Sequence, residues 1–420
     1  MNSARKTASC ILLVGVYVFT WLVTTVCSMI PRRSWKPNGR ILVTGTIFNP
    51  NWYLSHITPL VRSGLKEVIL VIDEPQQLID GVRFACPPKW LAKLGRRSVA
   101  KAIWTISVGF RCRPDLFMGY NLVAGGCTAL VAGAILGRPT CYQMTGGQLV
   151  LSTLNVETFE FEKASKLEKR VLKAIERLAI SVVRKFDFIV VRGSKGKAFL
   201  AGYGIEKNVL VITGSVKTIQ LPTPDREIDL VFLGRLNPIK QVDQFIQIVS
   251  EISHVVPFVR AVIVGDGALM EELKAYADRL GVSGHIEFLG KIKDVERILA
   301  CSKVFILTSK SEGLSIAMVE AMASGAVPVV ADVGELSDLV HDGVNGYIIE
   351  PNNIQEYVDK VVLLLQHKIL WHKLSSHAIE TAIKSSSTEV IEDMWRQSIH
   401  QVVGRASDCA TNPIAGDQLS

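Results

Sequence analysis

Ser302-Lys-Val-Phe-Ile-Leu-Thr-Ser-Lys-Ser-Glu-Gly-Leu-Ser-Ile-Ala-Met-Val-Glu320 reads as a buried strand that passes through a short polar loop into a helix. The apolar run 304–307 supplies the strand, and the helix is expected from about residue 316 to a stop at Gly325. Ser315 then falls at the N-cap position, where its hydroxyl can accept a backbone N–H. Helix side chains lean toward the N-terminus, so Glu320, one turn in, tilts toward the loop that carries Glu312. Free N–H groups at a helix start favour anions, and carboxylates beside them accept hydrogen bonds from sugar hydroxyls. The pair of glutamates therefore suits a ligand carrying both phosphate and sugar. By itself the segment also fits a plain surface helix with an acid near its favourable dipole end.

Working outward, short β-rich runs alternate with helical stretches along the chain. Strands are expected at 41–44, 68–72, 116–118, 140–144, 188–191 and 209–212. A second series follows at 230–233, 261–264, 286–289, 304–307, 327–330 and 347–349. Alternation of this kind predicts parallel, doubly wound α/β sheets. The polar stretch Leu221-Pro-Thr-Pro-Asp-Arg-Glu227 divides the series like a linker. The expected architecture is two facing Rossmann-like domains, over 38–220 and 221–386. A last helix over 387–403 would pack back on the first domain, and a disordered tail would follow over 404–420.

The bulk composition is globular, with 48% apolar and 20% charged residues in 420. A net charge of +8, from 47 basic and 39 acidic residues, fits an anionic ligand or membrane surface. No zinc-finger spacing or RNA-binding signature accompanies it, so nucleic acid is not an expected partner. Eight cysteines are scattered without a C-x-x-C pair, which reads as reduced thiols and not as a disulfide framework or metal site. Residues 9–30 carry no charge, and at about 1.5 Å per residue such a run just crosses a bilayer core of about 30 Å. A single-pass membrane anchor is expected there, with a cleaved signal peptide as the rival reading. Basic residues Arg32, Arg33, Lys36 and Arg40 after the segment place the body of the protein in the cytosol by the positive-inside rule.

In open α/β sheets ligands bind beyond the carboxyl ends of the strands, and the unusual residues of the second half collect there. Gly234 and Arg235 end one strand, Gly265-Asp-Gly267 the next, Gly290-Lys291 the third and Ser309 to Glu312 the fourth. Asn237-Pro238 is expected to start a helix, with Lys240 in its first turn. A cation there and Arg235 beside it are both mildly costly unless an anion such as a diphosphate fills the gap. A lysine that simply extends to solvent is the plainer reading. Gly265-Asp-Gly267 lacks the third glycine of a dinucleotide fingerprint, since Met270 stands in its place. No P-loop, G-x-S-x-G or H-x-x-x-H motif is present, so a nicotinamide cofactor, P-loop ATP hydrolysis, a serine nucleophile and a resident metal are not expected.

Phe232-Leu-Gly-Arg-Leu236 with Lys240, Val264-Gly-Asp-Gly267, Phe288-Leu-Gly290, the glutamate segment through Gly325, Pro328-Val-Val330 and Asp342-Gly-Val-Asn-Gly346 follow one another along the C-terminal half. This series resembles the retaining GT-B glycosyltransferases of family four, the glycosyl transferases group 1. In the first half the resemblance rests on Arg113-Pro-Asp-Leu116, Gly137-Arg-Pro139 and the order of strands and helices. It implies transfer of a sugar from a nucleotide diphosphate donor with retention at the anomeric carbon and with no metal or other cofactor required. It further implies that Arg235 and Lys240 hold the diphosphate, Glu320 the ribose hydroxyls and Glu312 the donor-sugar hydroxyls. The backbone of Gly313, Leu314, Ser315 and Ile316, with Gly234 and Gly265, would lie near the phosphates, and that of Lys291 near the base. Glu312, Arg235 and Lys240 are the expected catalytic residues. On the acceptor side the corresponding positions are Gly45, Thr46, Thr145 and Gly146. This chain departs from the family there, with Thr145-Gly146-Gly147 in place of a histidine before glycine and Gly214-Ser-Val-Lys217 in place of Asn-Gly-Val-Asp.

The stretch 81–114 is basic and acid-free, with Lys93, Arg97 and Lys101 at helical spacing and Trp90 and Trp104 near its ends. It reads either as a helix resting on anionic lipid or as a solvated basic face with core tryptophans. The sequence thus predicts a membrane-attached glycosyltransferase that uses a nucleotide sugar to extend a lipid-linked or cell-envelope glycan. A nucleotide-sugar epimerase on the same scaffold and a catalytically silent sugar-binding subunit of a membrane complex are the alternatives.

Overall fold

The alternation of strand and helix is realised in two sheets. The computed structural model describes residues 3–33, 38–45, 50–93, 97–145, 165–217 and 226–411. It divides into two units, Met1–Thr213 with Ile391–Ser420, and Gly214–Val390. The strands of the first unit are β1 (Arg40–Thr44), β2 (Glu67–Val71), β3 (Val82–Phe84), β4 (Leu116–Tyr120), β5 (Thr140–Gln143), β6 (Phe188–Val191) and β7 (Val209–Val211). Its helices are α1 (Ser3–Val26), α2 (Pro50–Arg62), α3 (Lys89–Lys93), α4 (Arg97–Cys112), α5 (Cys127–Leu136), α6 (Lys166–Val183) and α7 (Ser194–Ala201). The second unit holds β8 (Ile228–Leu233), β9 (Ala261–Val264), β10 (Ile286–Gly290), β11 (Ser302–Leu307), β12 (Val327–Ala331) and β13 (Tyr347–Ile349). Between and after them lie α8 (Val242–Ser253), α9 (Met270–Arg279), α10 (Val295–Ala300), α11 (Ile316–Ala323), α12 (Ile354–Gln366) and α13 (Lys368–Ser386). The last helix, α14 (Thr388–Thr411), returns the chain to the first unit.

Both sheets are parallel throughout, in the orders β3-β2-β1-β4-β5-β6-β7 and β10-β9-β8-β11-β12-β13. In each, the first strand sits in the middle and the chain winds outward to both sides. That creates a switch point between β1 and β4 in one sheet and between β8 and β11 in the other. Burial of both sheet faces explains why the strands read as continuous apolar runs. β3 is the strand the sequence does not announce, because only three residues pair at the sheet edge within the basic stretch.

Alternation of side chains sorts the first unit into two faces. Ile41, Val43, Val68, Leu70, Met118, Cys141, Phe188 and Val190 pack with Tyr53 and Ile57 of α2 and with Ile391, Trp395 and Ile399 of α14. Leu42, Ile69, Val71 and Phe117 instead meet Val108 of α4 and Ala129 and Ala132 of α5. Along the same face Tyr142, Ile189 and Val191 meet Leu172 and Ile175 of α6 and, from α1, Leu13 and Tyr17. Thus α1 is a layer helix of this unit, packed between α5 and α6. It is also the one described helix long and apolar enough to cross a membrane.

Three expectations are corrected. Helix α14 runs on through Thr411, so 404–411 are helical and not a disordered tail, while 412–420 lie outside the described residues. Lys101 does not join Lys93 and Arg97 on an outward basic face. It is 5% exposed, and its Nζ lies 2.6 Å from Asp73 Oδ2 and 3.2 Å from Gly45 O, because a buried ammonium requires partners. Trp90 lies on the surface, while Trp104 packs with the α4–α5 layer beneath the Arg111 guanidinium.

Candidate functional site

In the second unit the loops after β8 and β11 leave the sheet on either side of its switch point. The β8 loop carries Gly234 and Arg235 and then turns back at Asn237, whose Oδ1 accepts the Lys240 N–H at 3.2 Å. Gln241 follows in a left-handed conformation, φ 46°, and α8 begins at Val242. Lys240 therefore sits in a turn before the helix and not in its first turn as the sequence predicts. The cause is tertiary: the Thr308 hydroxyl bridges the carbonyls of Lys240 and Gln241, at 3.2 and 2.8 Å. Lys310 N–H donates to Ile239 O as well, so the two loops are stitched side by side.

This stitching brings Lys240 Nζ to 2.5 Å from Glu312 Oε1, with the side chains 17% and 11% exposed. A partly buried pair of this kind compensates two charges that would each be expensive alone. Ser315 caps α11 as its spacing predicts, its side chain accepting from the Met318 N–H. The N–H groups of Gly313, Leu314, Ser315 and Ile316 donate to nothing among the described residues. The strand end thus presents a cation, a carboxylate and a helix N-terminus together.

Glu320 lies one turn into α11, half-buried, its carboxylate without a hydrogen-bonding or ion-pairing partner among the described residues. Burial and, secondarily, the Glu296 carboxylate push its pKa up to about 7. A carboxylate held this way gains from hydroxyl donors supplied by a ligand. Arg235 is exposed and makes no ion pair among the described residues, leaving its guanidinium available to an anion. Lys291 is also exposed and follows β10, two strands from β8 along the sheet edge.

Two glycines fix how closely these loops approach. Gly265, φ 140°, has no room for a side chain, since a Cβ would fall 1.8 Å from Gly234 O. Gly334, φ 56°, would place one 2.1 Å from Glu312 O. Sequence reading singled out the first and missed the second, which holds the Glu312 loop from the β12 side. It gave no role to Thr308, whose buried hydroxyl marks the end of β11 beside the Ser309 that the sequence places at this strand end. Nothing in its local spacing distinguishes it from a loop threonine.

At the switch point of the first unit, Gly45 follows β1, and Thr145 after β5 hydrogen-bonds Asn121 after β4. Thr46 and Gly146 lie outside the described residues. Sequence reading missed the aromatic and basic group on the same edge. Trp52 stacks on His56 at 4.3 Å, meets Tyr120 edge-on at 4.7 Å and lies 6.0 Å from the Arg192 guanidinium. Desolvation first, and Arg192 second, hold the His56 imidazole well below its usual pKa and therefore neutral.

The model of the glycosyl transferases group 1 family matches residues 217–384. A UDP-Gal:alpha-D-GlcNAc-diphosphoundecaprenol alpha-1,3-galactosyltransferase of Escherichia coli is 31% identical over 40% of this chain and 45% of its own. A poly(ribitol-phosphate) alpha-N-acetylglucosaminyltransferase of Staphylococcus aureus is 25% identical over 53% of this chain and 46% of its own. The chain thus spans less than half the length of these curated relatives. Among solved structures, Anabaena Alr3699/HepE in complex with UDP-glucose superposes with a TM-score of 0.67 at 18% identity, covering 88% of this chain and all of that one. The paired parallel sheets are those of the GT-B fold, and residues 217–384 are similar to the glycosyl transferases group 1.

Proposed function

We propose that the protein transfers a sugar from a nucleotide diphosphate sugar to a lipid-linked or cell-envelope glycan, with retention at the anomeric carbon and no required metal. The observation that carries this reading is the convergence of Lys240, Glu312 and the open N-terminus of α11 at the switch point of the second sheet. A uridine diphosphate sugar is the first donor to test, since the Escherichia coli relative is named for one and HepE was crystallised with another.

In this mechanism donor binding opens the Lys240–Glu312 pair. Lys240 and Arg235 take the diphosphate, Glu312 takes hydroxyls of the sugar, Glu320 takes those of the ribose, and the backbone near Lys291 borders the base. The anomeric C–O bond breaks and its electron pair passes to the diphosphate. Two cations and the α11 N–H groups stabilise the charge that develops there. The acceptor hydroxyl oxygen bonds to the anomeric carbon from the same face, and its proton passes to the departing phosphate oxygen. Gly45 and Thr145, with Thr46 and Gly146, are assigned to the acceptor side. Residues 9–30 attach the protein to a membrane, with its body in the cytosol.

The test is release of nucleotide diphosphate in the presence of membrane extract as acceptor source. Lys240→Ala and Glu320→Ala should each lower kcat/KM for the donor by about tenfold or more, which corresponds to about 1.4 kcal/mol. Unchanged turnover by both variants would refute the assignment.

A further inference from the structure

The charge-free part of helix α1, residues 9–26, has two unlike faces. Leu13, Tyr17, Thr20 and Thr24, spaced as one helical stripe, are buried against the first unit along most of the helix length. The hydroxyls of Thr20 and Thr24 are satisfied by the helix's own carbonyls, at 2.8 Å each. Docking continues to the end of the helix, where Lys185 Nζ meets Thr25 Oγ1 at 2.7 Å, and past it, where Arg32 pairs with Asp187 and Arg33 N–H donates to Gly137 O. The opposite face exposes Ile11, Leu12, Phe19, Leu22, Val26 and Met29 to solvent, with Phe19 61% and Met29 89% exposed.

Beside α1 lies α6, which carries Lys166, Glu168, Lys169, Lys173, Glu176 and Arg177. If α1 stood across a bilayer, these charges would be drawn into the hydrocarbon with it, at heavy cost. Lying flat, α1 can sink its outer face below the headgroups while α6 keeps its charges at the water boundary. A second exposed apolar stripe, Val99, Ile103 and Phe110, runs along α4. Helices α4 and α1 both pack against α5 on the same side of the sheet, so the two stripes share one outward side of the unit. Basic groups border this side: Lys93 and Arg97 near the start of α4, and Arg32 and Lys185 at the end of α1. A crevice of about 160 Å³ at that end, lined by Thr24, Ser28, Arg32 and Lys185 among others, offers hydroxyls and cations at headgroup level.

We propose that α1 is an in-plane helix, embedded in one leaflet together with the outer stripe of α4, and that it does not cross the bilayer. The partner surface is a lipid leaflet with anionic headgroups. This rests on the membrane part of the reading above and replaces its spanning anchor. The basic rim and the length of unbroken apolar surface favour lipid over a second copy of the chain.

The full chain, carrying a peptide tag ahead of Met1, is reconstituted on the outside of sealed phosphatidylcholine vesicles containing phosphatidylglycerol. Protease added outside should remove the tag from all vesicle-bound protein; a tag protected until the vesicles are lysed overturns the in-plane placement. Phe19→Asp and Ile103→Asp, both at exposed positions, should each lower vesicle partitioning by about tenfold at unchanged circular dichroism. Partitioning unaltered by both overturns the lipid-facing assignment, as does a lipid-free dimer in which both positions become protected from hydrogen exchange. Thermal stabilisation by a nucleotide sugar is measured on the same variants. Its retention when membrane binding is lost, or its absence when membrane binding is intact, separates failure of this placement from failure of the transferase reading.

Discussion

At the residue scale, the site is held in a resting state by its own charges. Lys240 and Glu312 neutralise each other at 2.5 Å, so a donor exchanges one set of charge-assisted contacts for another instead of meeting two bare ions. Glu320 has no such partner among the described residues, and its pKa, pushed up to about 7 by burial, carries a testable sign. Between about 4.5 and 7 the folded protein keeps a proton that the unfolded chain has released, so this group withdraws stability as pH rises through that window. A ligand that donates hydroxyl hydrogens to the carboxylate favours its ionised form. Nucleotide binding should therefore strengthen from pH 6 to pH 8 with release of a proton, read by calorimetry in buffers of different ionisation enthalpy. Glu320→Gln should bind more weakly and without that pH dependence. A wild-type affinity flat across the range would contradict the raised pKa as a working part of the site.

At the scale of elements, α11 and the loops around it do most to shape the site. The Ser315 cap was legible because N-cap chemistry is local: a hydroxyl, a helical pattern behind it and Gly325 at the far end. Ser315→Ala should cost about 1 kcal/mol in denaturant unfolding, while Ser315→Asp, which retains a capping acceptor, should largely preserve stability. The same Asp should weaken nucleotide binding, because it sets a negative charge where the phosphates are proposed to lie. The start of α8 was not legible. Asn237-Pro238 is a sound helix start by local rules, but bonds from the segment after β11, the Thr308 hydroxyl to the Lys240 and Gln241 carbonyls and Lys310 N–H to Ile239 O, hold the turn apart from the helix. The edge strand β3 escaped for a related reason, since three residues carry too little periodicity and its pairing partner β2 lies outside the local window.

At the scale of the whole molecule, the chain builds its first unit from two separated segments. Ile391, Trp395 and Ile399 of α14 enter the same core as β1, β2 and α2. Truncation after Val390 should therefore expose that core and lower the melting temperature of the first unit, whereas the second unit, contained within Gly214–Val390, should still bind nucleotide. Loss of nucleotide binding on truncation would show that the second unit depends on the first. The sequence by itself determined the two parallel sheets, the glutamate segment and the group of residues at the strand ends, because hydrophobic periodicity, capping and turn chemistry act over a few residues. Tertiary structure decided which charges pair, that Lys101 turns inward, and that α1 lies along the domain with one face buried. Those outcomes depend on desolvation and on partners brought from distant parts of the chain, which local spacing does not encode.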